Sequence, residues 1–98
     1  MILRLSEIPE DTLRPITIGG QDAVLVRRGN QCFAFGGECT HEGAPLADGE
    51  LDGDTIVCPW HFSRFDIRTG AVVEDPADDP ISVFAVTIDG DTVTIVKD

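Results

Sequence analysis

Two short segments, Cys39-Thr40-His41 and Cys58-Pro59-Trp60-His61, decide how the rest of this sequence is interpreted. Each segment offers one thiolate and one imidazole, and residues 42–57 separate them. Cysteine and histidine side chains grouped in this way are typical metal ligands in proteins. The sequence therefore predicts a metal centre held by two loops, and the spacing of the ligands bears on which metal it holds.

A single structural zinc ion is one candidate, because two cysteines and two histidines are a common zinc set. Zinc sites usually contain a tight Cys-x2–4-Cys pair, whereas the first pair here is Cys-x-His. Side chains two residues apart on an extended segment point the same way, about 6–7 Å apart. That distance suits ligands of two metal atoms, with Cys39 and Cys58 on one iron and His41 and His61 on the other, as in a Rieske [2Fe–2S] centre.

The two segments lie inside longer motifs that resemble the cluster-binding boxes of Rieske-type ferredoxins. The motifs are C-T-H-E-G-A-P-L-A-D-G at 39–49 and C-P-W-H-F-S-R-F-D at 58–66. The resemblance covers nearly the whole chain, through R-T-G at 68–70 and G-D-T-V-T-I-V at 90–96. It implies that the cofactor is a Rieske-type [2Fe–2S] cluster.

The resemblance also implies a set of site residues. Cys39, His41, Cys58 and His61 match the cluster ligands, and Ser63 matches the position of a hydroxyl that donates to a bridging sulfide. Two neutral imidazoles in place of two thiolates raise the reduction potential above that of an all-cysteine cluster.

Four positions depart from related patterns. In the high-potential branch of the family, disulfide cysteines would stand at Ala44 and Trp60, and a tyrosine at Phe65. Their absence predicts a potential at the low end of the Rieske range, and Trp60 is expected to pack beneath its loop. Phe62 stands where the family commonly has glycine. Either this turn is an ordinary one, or Phe62 is an exposed apolar cover beside His61.

The rest of the sequence predicts an all-β fold, because no segment shows sustained helical periodicity and turn residues recur every several positions. The predicted strands are 1–5, 16–18, 23–28, 31–35, 55–57, 65–67, 71–73, 81–88 and 92–96. The resemblance implies a small antiparallel β-sandwich (the Rieske fold) with an inserted cluster-binding subdomain. We expect one domain over 1–98, with a base at about 1–36 and 76–98 and the cluster-binding subdomain at about 37–75.

The predicted strand 31–35 alternates between two faces. Phe33 and Phe35 share one face, which we expect to point to the core. Cys32 is on the other face, where we expect a half-buried thiol rather than a ligand. Arg64 and Arg68, near the second loop, are expected to be surface charges or to form local salt bridges rather than to contact a partner.

The composition limits the possible partners. The 98 residues carry 18 acidic and 7 basic side chains, a formal charge of −11. This charge argues against nucleic acid and anionic membranes and favours transient docking on basic protein surfaces. The sequence shows no targeting segment and no apolar run of membrane-spanning length, so a cytoplasmic location is expected.

The resemblance implies a one-electron carrier rather than an enzyme. The carrier would pass electrons from an NAD(P)H-dependent flavoprotein reductase to the terminal Rieske oxygenase of an aromatic-ring dioxygenase system, as in aromatic hydrocarbon catabolism. Two alternatives stay open. One is a tightly bound small subunit of another oxidoreductase, such as nitrite reductase, although many of those lack the ligands. The other is a structural zinc-binding module.

Overall fold

The computed structural model describes residues 1–40, 43–60, 62–74 and 79–96. Within these ranges the chain forms ten β-strands and two 3-10 turns, and no helix long enough to cross a membrane. The strands are β1 (Ile2–Arg4), β2 (Arg14–Ile18), β3 (Gln21–Arg28), β4 (Gln31–Gly36), β5 (Glu50–Asp52), β6 (Thr55–Val57), β7 (Arg64–Asp66), β8 (Val72–Glu74), β9 (Val83–Asp89) and β10 (Thr92–Val96). The 3-10 turns are Leu5–Glu7 and Leu46–Asp48.

The strands form two antiparallel sheets, which confirms the predicted all-β class. A six-stranded sheet has the order β1-β10-β9-β4-β3-β2, and a four-stranded sheet has the order β5-β6-β7-β8. The four-stranded sheet lies between residues 50 and 74 of the chain. The boundaries of a base and a cluster-binding subdomain at about 37 and 75 stay a prediction.

The β3–β4 hairpin packs on both of its faces. Val24, Val26 and Phe35 belong to a first core, which also contains residues of the four-stranded sheet and of the two predicted metal-binding loops, which begin at Cys39 and Cys58. The alternate residues Leu25 and Ala34 belong to a second core. The hairpin is therefore the common wall of the two cores.

The second core is enclosed by the six-stranded sheet itself. Ile16 of β2, near one end of the sheet, belongs to the same buried cluster as Val93 of β10, near the other end. A sheet can bring both ends against one core only by curling, as twisted antiparallel sheets do. The predicted antiparallel β-sandwich is confirmed, with the six-stranded sheet curled around the second core.

Cys32 is more deeply buried than the sequence predicted. Its side chain is in the second core and the residue is only 8% exposed, while Phe35 is fully buried in the first core and Phe33 packs against it. The prediction of a half-buried thiol is wrong because β4 is an internal strand with a core on each face. Burial raises the pKa of the Cys32 thiol, and the nearby Arg27 guanidinium opposes this only in part.

Arg28 connects the two sheets at the end of β3. Its Nη1 atom donates to Asp54 Oδ1 at 2.9 Å, and its Nη2 atom donates to the carbonyl of Gly53. Gly53 and Asp54 form the turn between β5 and β6. Asp54 also lies 3.8 Å from the guanidinium of Arg68. The turn of the small sheet is thus fastened to the large sheet through one side chain.

Candidate metal centre

The first metal-binding loop follows β4 and is closed by its own backbone. The amide of Cys39 donates to the carbonyl of Ala44 at 2.8 Å, and the amide of Gly43 donates to the carbonyl of Cys39 at 2.7 Å. Gly43 has φ of 75°, in the left-handed region that glycine adopts without strain. The loop is anchored to β3 by the amide of Gly37, which donates to Asp22 at 3.0 Å.

The second loop repeats this backbone pattern. The amide of Cys58 donates to the carbonyl of Ser63 at 2.8 Å, and the amide of Phe62 donates to the carbonyl of Cys58 at 3.2 Å. In both loops the cysteine amide reaches the carbonyl five residues later, and the residue four positions on donates back. Phe62 has φ of 61° and so takes the conformation that Gly43 takes in the first loop.

The turn at Phe62 is therefore not an ordinary one, and the side chain is 68% exposed. A side chain with a Cβ atom in the left-handed region costs about 1–2 kcal/mol. This exposure fits the second of the two interpretations from the sequence, an apolar side chain on the outside of the loop.

The structure buries the two candidate thiolates together. Cys39 is 2% exposed and Cys58 is 1% exposed, and both belong to the first core. Ser63 is fully buried beside Cys58, and it is the one polar residue that is buried within the part of the chain described here. His41 and His61 lie outside the described residues, so their role as ligands stays a prediction.

The prediction that Trp60 packs beneath its loop is wrong, because Trp60 is 53% exposed. The hydrogen bond between the Phe62 amide and the Cys58 carbonyl closes a turn that begins at Cys58 and ends at Phe62. Trp60 lies near the apex of this turn, away from the core. At the other position discussed for the disulfide, Ala44 is fully buried in the first core.

The arginines near the second loop form local ion pairs, as predicted. Arg64 donates to Asp52 Oδ2 at 2.7 Å and lies 3.4 Å from Glu74. The hydrogen bond to Asp52, helped by the charge of Glu74, raises the pKa of Arg64 above its ordinary value. Arg68 lies 3.2 Å from Asp66. Each cation is thus paired within its own sheet.

The described donors fit an iron–sulfur centre. Two buried cysteines begin loops of matching backbone geometry, and a buried hydroxyl residue stands at the end of the second loop. The sequence profile of the Rieske [2Fe-2S] domain matches residues 1–96.

The chain belongs to the Rieske [2Fe–2S] domain family. Its cofactor is accordingly a Rieske-type [2Fe–2S] cluster. The ferredoxin component of the naphthalene 1,2-dioxygenase system from Pseudomonas aeruginosa is 36% identical over 91 residues, which are 93% of this chain and 88% of that relative.

Solved structures of Rieske ferredoxins have the same fold. The ferredoxin of carbazole 1,9a-dioxygenase from Nocardioides aromaticivorans IC177 matches with a TM-score of 0.92 and 27% identity, over 99% of this chain and 95% of that one. A chain in a complex of reduced oxygenase and oxidized ferredoxin in carbazole 1,9a-dioxygenase matches with a TM-score of 0.86 and 33% identity, over 95% and 96% of the two chains. These relatives support an electron-carrier role for the Rieske chain described here.

Proposed function

We propose that this Rieske protein is a one-electron carrier that accepts electrons from an NAD(P)H-dependent flavoprotein reductase and passes them to a terminal Rieske oxygenase of an aromatic-ring dioxygenase system. It is the electron-transfer component of that system and not itself an enzyme. The observation that carries the proposal is the pair of matching loops, each closed on a buried cysteine. The ferredoxin relatives support the same role.

We assign the cluster ligands as Cys39 and Cys58 on one iron and His41 and His61 on the other. When bound, the [2Fe–2S] cluster supplies one-electron redox chemistry. The chain's own contribution is to hold both thiols in an apolar core from which water is excluded. Ser63, buried at the end of the second loop, is assigned as a hydroxyl donor to the cluster.

The acidic surface suits brief encounters with partners. With a formal charge of −11, the chain is attracted to basic protein faces, and dissolved salt weakens this attraction by screening the charges. The proposal therefore includes transient docking on both the reductase and the oxygenase. Electron-transfer rates should fall as the salt concentration rises.

Electron paramagnetic resonance of the purified protein after anaerobic reduction tests the cofactor assignment. A rhombic signal with an average g-value below that of all-cysteine clusters is expected. A potentiometric titration of the same sample should place the midpoint potential at the low end of the Rieske range. A colourless protein that contains zinc would instead make the four ligands a structural clasp, and a midpoint well above zero would contradict the low-potential assignment.

Reconstitution tests the electron route. The protein is mixed anaerobically with NADH and the reductase of a naphthalene dioxygenase system, and its reduction is followed optically. Addition of the matching oxidised oxygenase should then reoxidise the protein. A loaded protein that is reduced by dithionite but exchanges no electrons with either component would contradict the proposed position between reductase and oxygenase.

A further inference from the structure

Two large aromatic side chains are exposed on the second metal-binding loop. Trp60 and Phe62 project into solvent, while their neighbours Cys58, Ser63 and Phe65 are buried. In the sequence the two aromatic residues stand directly before and after His61. Large exposed apolar side chains that form a contiguous patch often mark surfaces for binding other proteins.

Packing within the chain does not account for Phe62. Its backbone is in the left-handed region, where the matching position of the first loop is Gly43. The side chain adds strain without filling the core, because it points outward. Strain of this kind is retained mainly at sites where a function requires the side chain.

Two carboxylates lie beside Phe62. Phe62 lines a surface depression of about 200 Å³ together with Asp48 and Glu50. In the part of the chain that the structure covers, neither carboxylate forms an ion pair. The nearest strand carries Arg64, but Asp52 and Glu74 already engage its charge. The surface around Phe62 thus combines an exposed apolar side chain with negative charge.

We propose that Trp60 and Phe62 form the apolar centre of the docking surface for the protein electron acceptor, whose redox centre opens onto an apolar patch ringed by lysine and arginine. Asp48 and Glu50 pair with that basic ring. Aromatic side chains at the centre of an interface supply most of its affinity, and charges at the rim steer the encounter. This proposal rests on the electron-carrier function proposed above and names the residues through which that function meets its acceptor.

The test uses oxidised mitochondrial cytochrome c as the probe, a basic protein whose haem edge is ringed by lysine side chains. One electron passes from the reduced Rieske protein to the ferric haem, which becomes ferrous. Stopped-flow spectroscopy gives the second-order rate constant over a series of salt concentrations. The variants are Trp60→Ala with Phe62→Gly, the rim pair Asp48→Ser with Glu50→Gln, and a control.

The aromatic pair variant should lower the rate constant about tenfold at every salt concentration. The rim pair variant should lower it at low salt and flatten its dependence on salt. The control, Ile2→Ala with Val96→Ala, removes exposed apolar area from β1 and β10 and should leave the rate unchanged.

A second readout does not depend on electron transfer. Trp60 is the single tryptophan of the chain, so labelling with 5-fluorotryptophan gives one fluorine resonance. Adding zinc-substituted cytochrome c, which is diamagnetic, should shift this resonance in the wild type. In Phe62→Gly the shift should need a higher cytochrome concentration. Glycine adopts the backbone conformation at position 62 without strain, so this variant should unfold at or above the wild-type melting temperature.

The outcomes separate the two proposals. If the wild type reduces cytochrome c and the aromatic pair variant does so at the same rate with the same midpoint potential, the docking surface is wrong and the carrier function stands. An unmoved fluorine resonance at saturating cytochrome overturns the docking surface as well. If the loaded wild type passes no electron to any acceptor, the carrier function fails and the docking surface fails with it.

Discussion

At the scale of single residues, Ser63 is where a small change should tune the redox centre. Its side chain is fully buried next to Cys58, whose amide donates to the Ser63 carbonyl at 2.8 Å. A hydroxyl that donates to the cluster favours the reduced, more negative state. Ser63→Ala should therefore lower the midpoint potential by about 40 mV, the equivalent of about 1 kcal/mol for one electron.

A potentiometric titration followed by optical absorbance measures this shift. Ser82→Ala, at an exposed position in the segment before β9, is the matched control and should leave the potential unchanged. A Ser63→Ala protein with full cluster content and the wild-type potential would contradict the assigned role.

Asp91 should give the fold a stability that depends on pH. Its carboxylate accepts hydrogen bonds from the amide and the hydroxyl of Ser6 at 2.8 and 2.9 Å. These bonds, helped by the charge of Arg4, hold the pKa of Asp91 below its ordinary value. A carboxyl with a lowered folded-state pKa stabilises the fold above its unfolded pKa of about 4, and this contribution is lost as the pH falls through the folded-state pKa.

Asp91→Asn should therefore lower the melting temperature at pH 7, and the difference from wild type should shrink below about pH 4. Thermal unfolding followed by circular dichroism at several pH values checks this. Asp22→Asn is the control, since Asp22 makes no side-chain hydrogen bond within the described ranges. A difference that stays constant down to pH 2 would show that ionisation of Asp91 is not the cause.

At the scale of elements, the sequence predicted most strands but missed β5. Runs of β-branched residues and glycine-containing turns located the β3–β4 and β9–β10 hairpins to within two residues. Strand β5 has a single apolar residue, Leu51, between two acids, so neither composition nor alternation marks it. It forms because Glu50 and Asp52 pair with Val57 and Thr55 of β6. Such pairing is a property of the folded chain and not of the segment.

The same limit applies to the site. The sequence predicts four ligands and Ser63 because their spacing matches a family motif, and the structure shows that Cys39, Cys58 and Ser63 are buried. The exposure of Trp60 could not, because an indole is found in cores as well as at interfaces. Its place near the apex of the turn depends on the hydrogen bond between Phe62 and Cys58.

Gly49 joins the 3-10 turn at Leu46–Asp48 to the small sheet, and we expect it to tolerate no side chain. A Cβ atom there would lie 2.0 Å from the carbonyl oxygen of Val57, the residue before Cys58. Backbone atoms would have to move, so Gly49→Ala should lower the free energy of unfolding by about 3 kcal/mol, at the upper end of the cost of overpacking.

Urea unfolding compares Gly49→Ala with the control Gly36→Ala. At Gly36 the nearest atom to an added Cβ is the Ser82 amide nitrogen at 3.7 Å, an ordinary contact. The Gly49 variant should also take up less cluster, measured as iron per protein. Equal stabilities of the two variants would show that the close approach at Gly49 relaxes without cost.

At the scale of the whole molecule, Arg28 is expected to hold the two sheets together. It donates to Asp54 and to the carbonyl of Gly53, across the contact between the β3–β4 hairpin and the small sheet. Arg28→Met keeps the aliphatic part of the side chain and removes the charge. Because Asp54 is more than half exposed, the loss should be about 1 kcal/mol in the free energy of unfolding.

Urea unfolding at low and high salt checks this prediction. The difference between wild type and Arg28→Met should narrow as salt screens the ion pair. Arg14→Met on β2 is the control, because Arg14 forms no ion pair with the residues described here. If Arg28→Met and Arg14→Met lower the free energy of unfolding equally, the ion pair between Arg28 and Asp54 makes no contribution of its own to stability.

The β3–β4 hairpin, which forms a wall of both cores, also determines how the molecule can come apart. Val24 and Leu25 are neighbours in the chain, yet each is anchored in a different core. Neither core can open without exposing the other, so the chain should unfold cooperatively as one unit. Loss of the metal centre should then speed amide hydrogen exchange along β10, on the far side of the molecule, although no strand of the small sheet pairs with β10.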